Sequence, residues 1–145
     1  MQPLRDNLAL HYYAVCSAIL AVQLILLAFW TGTVRVTRKV YVNPEDASLN
    51  KATQSEEDHA DVQRVKRAHQ NAIENAVPFF VIGLLYAMSG ASHTGALAYF
   101  GTFTAVRLLH SIFYLWGRQP FRTLMFAVGV LATLGMGVHV IRAAL

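Results

Sequence analysis

Four mostly apolar segments constrain the fold of this chain more than any other feature. The first, residues 8–30, contains 23 residues and no Asp, Glu, Lys or Arg. A helix rises about 1.5 Å per residue, so a segment of this length spans the hydrocarbon core of a bilayer with some tilt. In lipid only helices and closed barrels satisfy the backbone polar groups. The pattern therefore predicts an all-α, integral membrane four-helix bundle.

The composition favours a membrane protein over a soluble domain. Hydrophobic residues make up 55% of the chain and charged residues 14%, with a mean hydropathy of +0.40. A soluble domain is usually about a quarter charged. The basic residues cluster beside the apolar segments, so the net charge of +4 requires no nucleic-acid partner. We expect one domain over residues 1–145, with a first helix that is retained rather than cleaved as a leader.

The turn signals divide the chain into four helices and one long polar loop. The expected helices cover about residues 8–31, 58–88, 94–116 and 121–143, and the loop covers about 32–57. Asn43 and Pro44 predict a turn within the loop. Gln23 is strongly polar and deep in the first segment, which predicts an interhelical hydrogen bond. Gly83 and Gly101 each precede an alanine by four residues, a pattern typical of close helix packing.

Lys and Arg are distributed unequally between the links. Seven lie in residues 32–68, two more lie near the link to the fourth helix, and none lies in the turn between the second and third helices. The positive-inside rule therefore predicts that the first and third links face the cytosol. We expect a multi-pass protein of either the endoplasmic reticulum membrane or the bacterial inner membrane.

The second helix carries polar side chains close to its apolar half. Arg67, Asn71 and Glu74 stand at i, i+4 and i+7, so they share one helical face. A glutamate that enters a membrane is costly unless a partner or a bound ligand meets it. This face is therefore predicted to form the wall of a polar pocket.

The third helix has a polar face of its own. Arg107, His110 and Tyr114 stand at i, i+3 and i+7 within an otherwise apolar segment. Arg107 and Glu74 are each costly alone in hydrophobic surroundings. We expect them to form an ion pair between the second and third helices.

The polar residues are predicted to meet at one membrane boundary. Arg35 follows the first apolar segment and Arg122 begins the fourth, so both join the polar faces near the cytosolic ends of the helices. Arginines bind carboxylates through paired hydrogen bonds, and Glu74 suits an ammonium group. A ligand with about two carboxylates and one ammonium group would fit, and glutathione has these charged groups together with a thiol.

Other kinds of site have weaker support. His69 and Glu74 are five residues apart and do not share a helical face, and no clustered Cys/His spacing exists, so we expect no metal. The single cysteine, Cys16, excludes an intrachain disulfide. A channel would distribute its charges along a path across the membrane, whereas the charges of this chain are predicted to gather at one boundary, so a channel has less support. A structural bundle whose charges merely pair remains an alternative.

Two segments resemble the MAPEG family of membrane proteins. They are VTRKVYVNPED at residues 36–46 and RVKRAHQNAIENAVPFFVIGLLYAMSG at residues 64–90, and RLLHSIFYL and QPFR continue the match. The resemblance covers roughly residues 33–126 and is closest to the glutathione transferase branch, with the prostaglandin E synthase branch next. It implies a homotrimer of four-helix subunits, with glutathione between neighbouring subunits at the cytosolic side.

The resemblance also implies roles for individual residues. The glutathione contacts that it implies are Arg35, Arg67, Asn71, Glu74, His110, Tyr114 and Arg122. Arg122 resembles the arginine that holds the thiolate, and Asp46 matches an aspartate proposed to assist the prostaglandin synthase reaction. Gln70 and Phe126 differ from the prostaglandin branch and favour a general transferase.

The implied activity is that of a membrane-bound glutathione transferase. It would activate glutathione as a thiolate that attacks lipophilic electrophiles or, as a peroxidase, reduces lipid hydroperoxides. The alternatives are a glutathione-dependent prostaglandin E synthase-like isomerase and a non-catalytic lipid-binding scaffold of the same family. The expected partners are glutathione, the lipophilic substrate, the bilayer and further copies of the chain.

Overall fold

The structure is a computed structural model that describes residues 7–145. In chain order the elements are α1 (Leu8–Arg38), β1 (Val40–Tyr41), α2 (Pro44–Leu49), β2 (Thr53–Gln54), α3 (Ala60–Met88), α4 (His93–Leu115) and α5 (Gln119–Ala144). The helices α1, α3, α4 and α5 are each long and apolar enough to cross a membrane. The predicted all-α, four-helix membrane fold is confirmed. The expected domain also included residues 1–6, which lie outside the described residues.

The first helix extends seven residues beyond its predicted end at residue 31, as far as Arg38. The sequence turns polar there, but the threonines fold back onto the helix. Thr33 Oγ1 donates to the carbonyl of Phe29 at 3.0 Å, and Thr37 Oγ1 donates to the carbonyl of Thr33 at 2.8 Å. The basic residues in the last turn interact favourably with the negative end of the helix dipole. Lys39 ends the helix in the left-handed region, with φ 53°.

The predicted loop also contains regular structure that the sequence analysis did not anticipate. The short helix α2 begins at Pro44, where a turn was expected. Proline suits the first helical position because its missing N–H would have no partner there. β1 and β2 pair in parallel, with Val40 opposite Thr53. This small unit folds the connection back beside the end of α1.

Short polar side chains define where the long helices begin. The Asn7 side chain accepts a hydrogen bond from the N–H of Leu10 at 3.1 Å, and Ser92 Oγ accepts from the N–H of Gly95 at 3.1 Å. Each satisfies one of the backbone donors that a helix start leaves free. At the start of α3 the imidazole of His59 serves the same purpose.

The apolar core fills the half of the bundle that lies away from the basic end. Phe79 of α3 stacks on Phe103 of α4 with ring centroids 4.3 Å apart, and Phe100 packs against Phe79 edge to face. A Cβ on Gly83 would lie 3.3 Å from the rings of Phe100 and Tyr13, which confirms the predicted close packing there. Within residues 7–145 a Cβ on Gly101 would meet no atom within 4 Å, so close packing at that position stays a prediction.

The other half of the bundle buries polar groups between helices. Gln23 of α1 donates from Nε2 to the carbonyl of Arg107 at 3.1 Å and to Ser111 Oγ at 2.6 Å. The predicted interhelical hydrogen bond of Gln23 is therefore confirmed. It joins α1 to α4 at the level where the polar residues of α4 begin.

Candidate functional site

The most buried charge of the site is Arg107, which is 2% exposed. Its partner is Asn71 of α3, whose carbonyl and Oδ1 accept hydrogen bonds from Arg107 Nη2 at 3.1 and 2.7 Å. The predicted ion pair between Arg107 and Glu74 is therefore wrong. Glu74 is exposed and accepts a hydrogen bond from Gln70 Nε2 at 3.1 Å instead.

Next to Arg107 on α4 lies a group of aromatic and cationic side chains. His110 is buried, and its ring centroid is 5.8 Å from that of Tyr114 and 6.4 Å from that of Phe126. The guanidinium carbon of Arg122 lies 4.5 Å from the centre of the Tyr114 ring, close enough for a cation–π interaction. The structure thus brings three of the predicted site residues together where α4 ends and α5 begins.

Arg122 has no acidic partner within the described part of the chain. The ion pairs formed by residues 7–145 involve Asp58 and Asp61 alone as acids. Arg122 is half-buried and lies in the first turn of α5, where free backbone N–H groups also favour an anion. A bound anion at this position would meet a cation whose charge is otherwise uncompensated.

The outer face of α3 presents a row of polar side chains that the chain itself does not cover. Arg67 and Glu74 are exposed, and so is Gln70. Arg67 Nη1 donates to Gln63 Oε1 at 3.3 Å, a contact within the same helix. This face therefore offers one cation and one carboxylate to whatever packs against it.

Arg35 of α1 belongs to a separate ionic cluster. Its Nη2 lies 3.1 Å from Asp58 Oδ1, and Lys66 Nζ lies 2.9 Å from Asp58 Oδ2. Burial opposes ionisation of Asp58, but the Lys66 hydrogen bond and the Arg35 and Lys66 charges outweigh it and lower the pKa of that carboxyl below 3.8. Asp58 was not singled out from the sequence, because nothing distinguishes it from the acidic residues beside it.

The remaining candidates lie at the same end of the bundle. Arg35, His69 and Gln70 line a cavity of about 330 Å³ between α1 and α3. Asp46 lies in α2, where its Oδ2 accepts a hydrogen bond from Asn43 Nδ2 at 3.2 Å. No hydrogen bond joins Asp46 to Arg122 in residues 7–145. Within one chain the predicted residues thus form separate groups rather than a single pocket.

His, Cys, Asp and Glu are the side chains of this protein that could serve as metal ligands. Groups of three or more that could hold an ion do not occur in residues 7–145. The chemistry available at the basic end is therefore that of guanidinium, imidazole, phenol and carboxylate groups. These groups can bind a charged ligand, stabilise an anion and orient a proton.

The four spans and the polar groups buried between them define a multi-pass helical membrane protein with a cationic site at one end of the bundle. A sequence profile described as "MAPEG family" matches residues 13–142. The chain belongs to the MAPEG family, and the resemblance noted in the sequence is confirmed.

Named relatives match nearly the whole chain. "Microsomal glutathione S-transferase 1" of Rattus norvegicus is 38% identical over 100% of this chain and 97% of its own length. The Homo sapiens protein of that name is 37% identical over 92% of this chain and 89% of its own length. "Prostaglandin E synthase" of Equus caballus is 34% identical over 92% of this chain and 88% of its own length.

Proposed function

We propose that this protein is a membrane-bound glutathione transferase, with an accompanying glutathione peroxidase activity. The similarity to relatives named microsomal glutathione S-transferase 1 over the full chain supports this function. The observation that carries the proposal is Arg122, a half-buried cation that stands over Tyr114 and has no acidic partner within residues 7–145. Such a cation suits an anionic sulfur.

The central step is ionisation of the glutathione thiol. A free thiol has a pKa of about 8.5, so only a few per cent is thiolate at pH 7. A guanidinium beside the sulfur favours the charged form. If Arg122 and its surroundings lower that pKa by about two units, the gain is roughly 2.7 kcal/mol and most of the bound glutathione is ionised.

The thiolate then reacts with a lipophilic substrate that arrives through the bilayer. In transfer, the sulfur forms a bond to an electrophilic carbon, and the leaving group departs with its electron pair. In peroxide reduction, the sulfur attacks the terminal oxygen of a hydroperoxide and releases an alkoxide that takes up a proton. A second glutathione converts the resulting sulfenic acid into a disulfide and water.

The other site residues are proposed to bind the charged ends of glutathione. Arg35 and Arg67 suit its carboxylates, and Glu74 suits its ammonium group. Asn71 is held in position by Arg107. The further residues with proposed roles are His110 and Tyr114 as contacts and Asp46 as an assisting carboxylate.

The proposed assembly is a homotrimer with the site between subunits and open to the cytosol. In one chain the Arg35 cluster and the Arg122 group have separate partners, and a neighbouring subunit would bring such groups together. The polar outer face of α3 supports an interface because lipid would not solvate Arg67 and Glu74. The basic residues of the first and third links support the cytosolic orientation.

A second candidate is a glutathione-dependent isomerase. It is favoured by the 34% identity to a relative named prostaglandin E synthase over 92% of this chain. This reaction would use the same bound thiolate but return the glutathione unchanged. Product analysis with an endoperoxide substrate distinguishes isomerisation from conjugation and from reduction.

The experiment that tests the proposal compares Arg122→Ala with the wild-type protein in a bilayer. Removing a group that stabilises an anion usually costs about 100-fold or more in kcat. We expect that loss in kcat with little change in glutathione affinity. Arg118→Ala, a nearby exposed arginine on the same link, serves as the charge control. Full turnover by Arg122→Ala would contradict the role of Arg122. If the wild-type protein does not bind glutathione at all, the result would favour the non-catalytic scaffold.

A further inference from the structure

Two neighbouring cavities lie along α1 and α4 on a face that the glutathione site does not use. One, of about 610 Å³, lies between the two helices, and the other, of about 760 Å³, lies at the basic end beside the start of α3. Both cavities are lined by Trp30, Ile112 and Leu115, so they form one continuous channel on the surface. We call this channel the α1–α4 groove.

The deeper part of the α1–α4 groove is apolar. Its walls include Val22 and Leu26, which are 53% and 62% exposed. The polar residues at its base are Gln23 and Ser111, which hydrogen-bond to each other at 2.6 Å. A hydrocarbon chain is the occupant that such a lining favours, because exposed apolar walls leave water or a polar ligand without partners.

The outer part of the groove is cationic. Arg38 pairs with Asp61, with Nη2 and Oδ2 2.6 Å apart, so these two charges compensate each other. Arg64 also lines this part and is exposed, with neither an ion pair nor a side-chain hydrogen bond to any residue in 7–145. The net charge of these three side chains is positive, and the free guanidinium suits an anionic group.

Both tryptophans of the chain flank the boundary between the two parts. Trp30 is 55% exposed and Trp116 is 70% exposed, and each lines the groove. Tryptophan is enriched where lipid chains meet head groups. The order along the groove is therefore apolar walls, indole rings and a free arginine, which matches the order of groups along a phospholipid.

We propose that the α1–α4 groove binds one anionic phospholipid of the surrounding bilayer, with an acyl chain between α1 and α4 and its phosphate at Arg64. Charge complementarity selects the anionic head group, since guanidinium binds phosphate through paired hydrogen bonds. The groove is continuous from the free arginine into the apolar walls, so head group and chain are held together. The inference does not depend on the glutathione reaction, because the groove contains none of the proposed glutathione contacts.

The test uses the intrinsic tryptophan fluorescence of the full chain reconstituted in bilayers. Phosphatidylglycerol or phosphatidylcholine with brominated acyl chains is mixed with the unbrominated lipid, and quenching is measured against mole fraction. A bound head group near one arginine gains about 1 kcal/mol, which is about a fivefold preference. We expect half-maximal quenching at about fivefold lower mole fraction of the anionic lipid, with that preference abolished in Arg64→Gln and kept in Arg118→Gln.

A second measurement separates groove binding from general attraction to surface charge. Native mass spectrometry after detergent exchange should find one phosphatidylglycerol retained per wild-type chain. Ala18→Phe, which fills the apolar part, should abolish that retention, whereas Ala105→Phe, at an exposed alanine elsewhere on α4, should not.

Three results would overturn the proposal. The first is equal quenching by both lipids. The second is a preference that survives Arg64→Gln, or retained lipid that survives Ala18→Phe, since each would mean that the groove does not hold the lipid. The third is displacement of the brominated lipid by an uncharged lipophilic electrophile together with no head-group preference, which would assign the groove to the substrate.

Discussion

Arg107 is a guanidinium almost wholly inside a membrane bundle, and its partners are two oxygen atoms of a single asparagine. Transferring a charge out of water costs several kcal/mol of desolvation free energy, and hydrogen bonds to a neutral partner such as Asn71 offset only part of that cost. Its Nη1 and the Nδ1 of His110 have no hydrogen-bond partner among residues 7–145. Ionisable groups inside a membrane are usually functional, so the side chains around Arg107 are expected to be coupled to it energetically.

We predict that Asn71→Leu and Arg107→Met are each destabilising but coupled. A hydrogen bond to a charged group contributes about 1.5–3 kcal/mol, so the double variant should be less destabilised than the sum of the single variants by roughly that amount. Denaturant unfolding in detergent measures the free energies. As a control, the double-mutant cycle of Arg107→Met with Glu74→Gln should give a coupling energy near zero. Coupling of Arg107 to Glu74 rather than to Asn71 would contradict the geometry.

Asp58 should make stability depend on pH. Its folded pKa lies below the value of 3.8 for the free group. The stabilisation is therefore complete above that pH and is lost as the pH falls through the folded value. Asp58→Asn should lower the free energy of unfolding by about 1.5–3 kcal/mol at neutral pH, and the difference from wild type should shrink below pH 4. Glu56→Gln, at an exposed acid, is the control. An equal difference at all pH values would count against the ionic cluster.

At the level of the helices, the contacts of α3 with α1 and α4 depend on the absence of a side chain at Gly83. Overpacking a tight contact costs typically about 1–3 kcal/mol, because the rings of Phe100 and Tyr13 are already 3.3 Å from the Cβ position. Gly83→Val should therefore lower the free energy of unfolding by that amount. Gly101→Val, at a position where no atom of residues 7–145 lies within 4 Å of the new Cβ, controls for the effect of valine on helix propensity. Equal losses in the two variants would show that packing at Gly83 is not tight.

The elements themselves were partly predictable from the sequence. Long apolar segments indicate helices that cross a membrane, and each of the four is present. The end of α1 was placed too early because polarity suggested solvent, while the threonine hydroxyls hydrogen-bond within the helix. α2 was missed because Pro44 begins helices as readily as turns. Local sequence therefore predicted which segments are helical better than it predicted where they end.

At the scale of the whole molecule, the polar outer face of α3 points to assembly. We predict that the protein in mild detergent has three times the chain mass of 16.1 kDa by native mass spectrometry. The physical reason is that Arg67 and Glu74 are uncovered in one chain and costly against lipid. A single-chain mass across detergents and concentrations would contradict the proposed site between subunits.

The candidate site was less predictable than the fold. Helical spacing grouped His110 with Tyr114, and Arg122, expected to join them at the start of the fourth helix, lies beside Tyr114 in the structure. Opposite charge suggested Glu74 as the partner of Arg107, but the partner is Asn71, one turn earlier. Asn71 is half-buried, whereas Glu74 is exposed, so burial rather than charge decides which side chain Arg107 meets. The partner of Arg35 could not be predicted, since the path of the polar loop that carries Asp58 depends on tertiary contacts.

Ultraviolet difference absorbance of the thiolate tests whether the protein binds glutathione as a thiolate beside Arg122. Wild-type protein in detergent is titrated with glutathione at neutral pH, and the pH dependence of the signal gives the pKa of the bound thiol. We expect a saturable thiolate signal with a pKa well below 8.5, which Arg122→Ala loses and Arg118→Ala keeps. Saturable glutathione binding with no thiolate signal, or a signal unchanged in Arg122→Ala, would contradict this expectation.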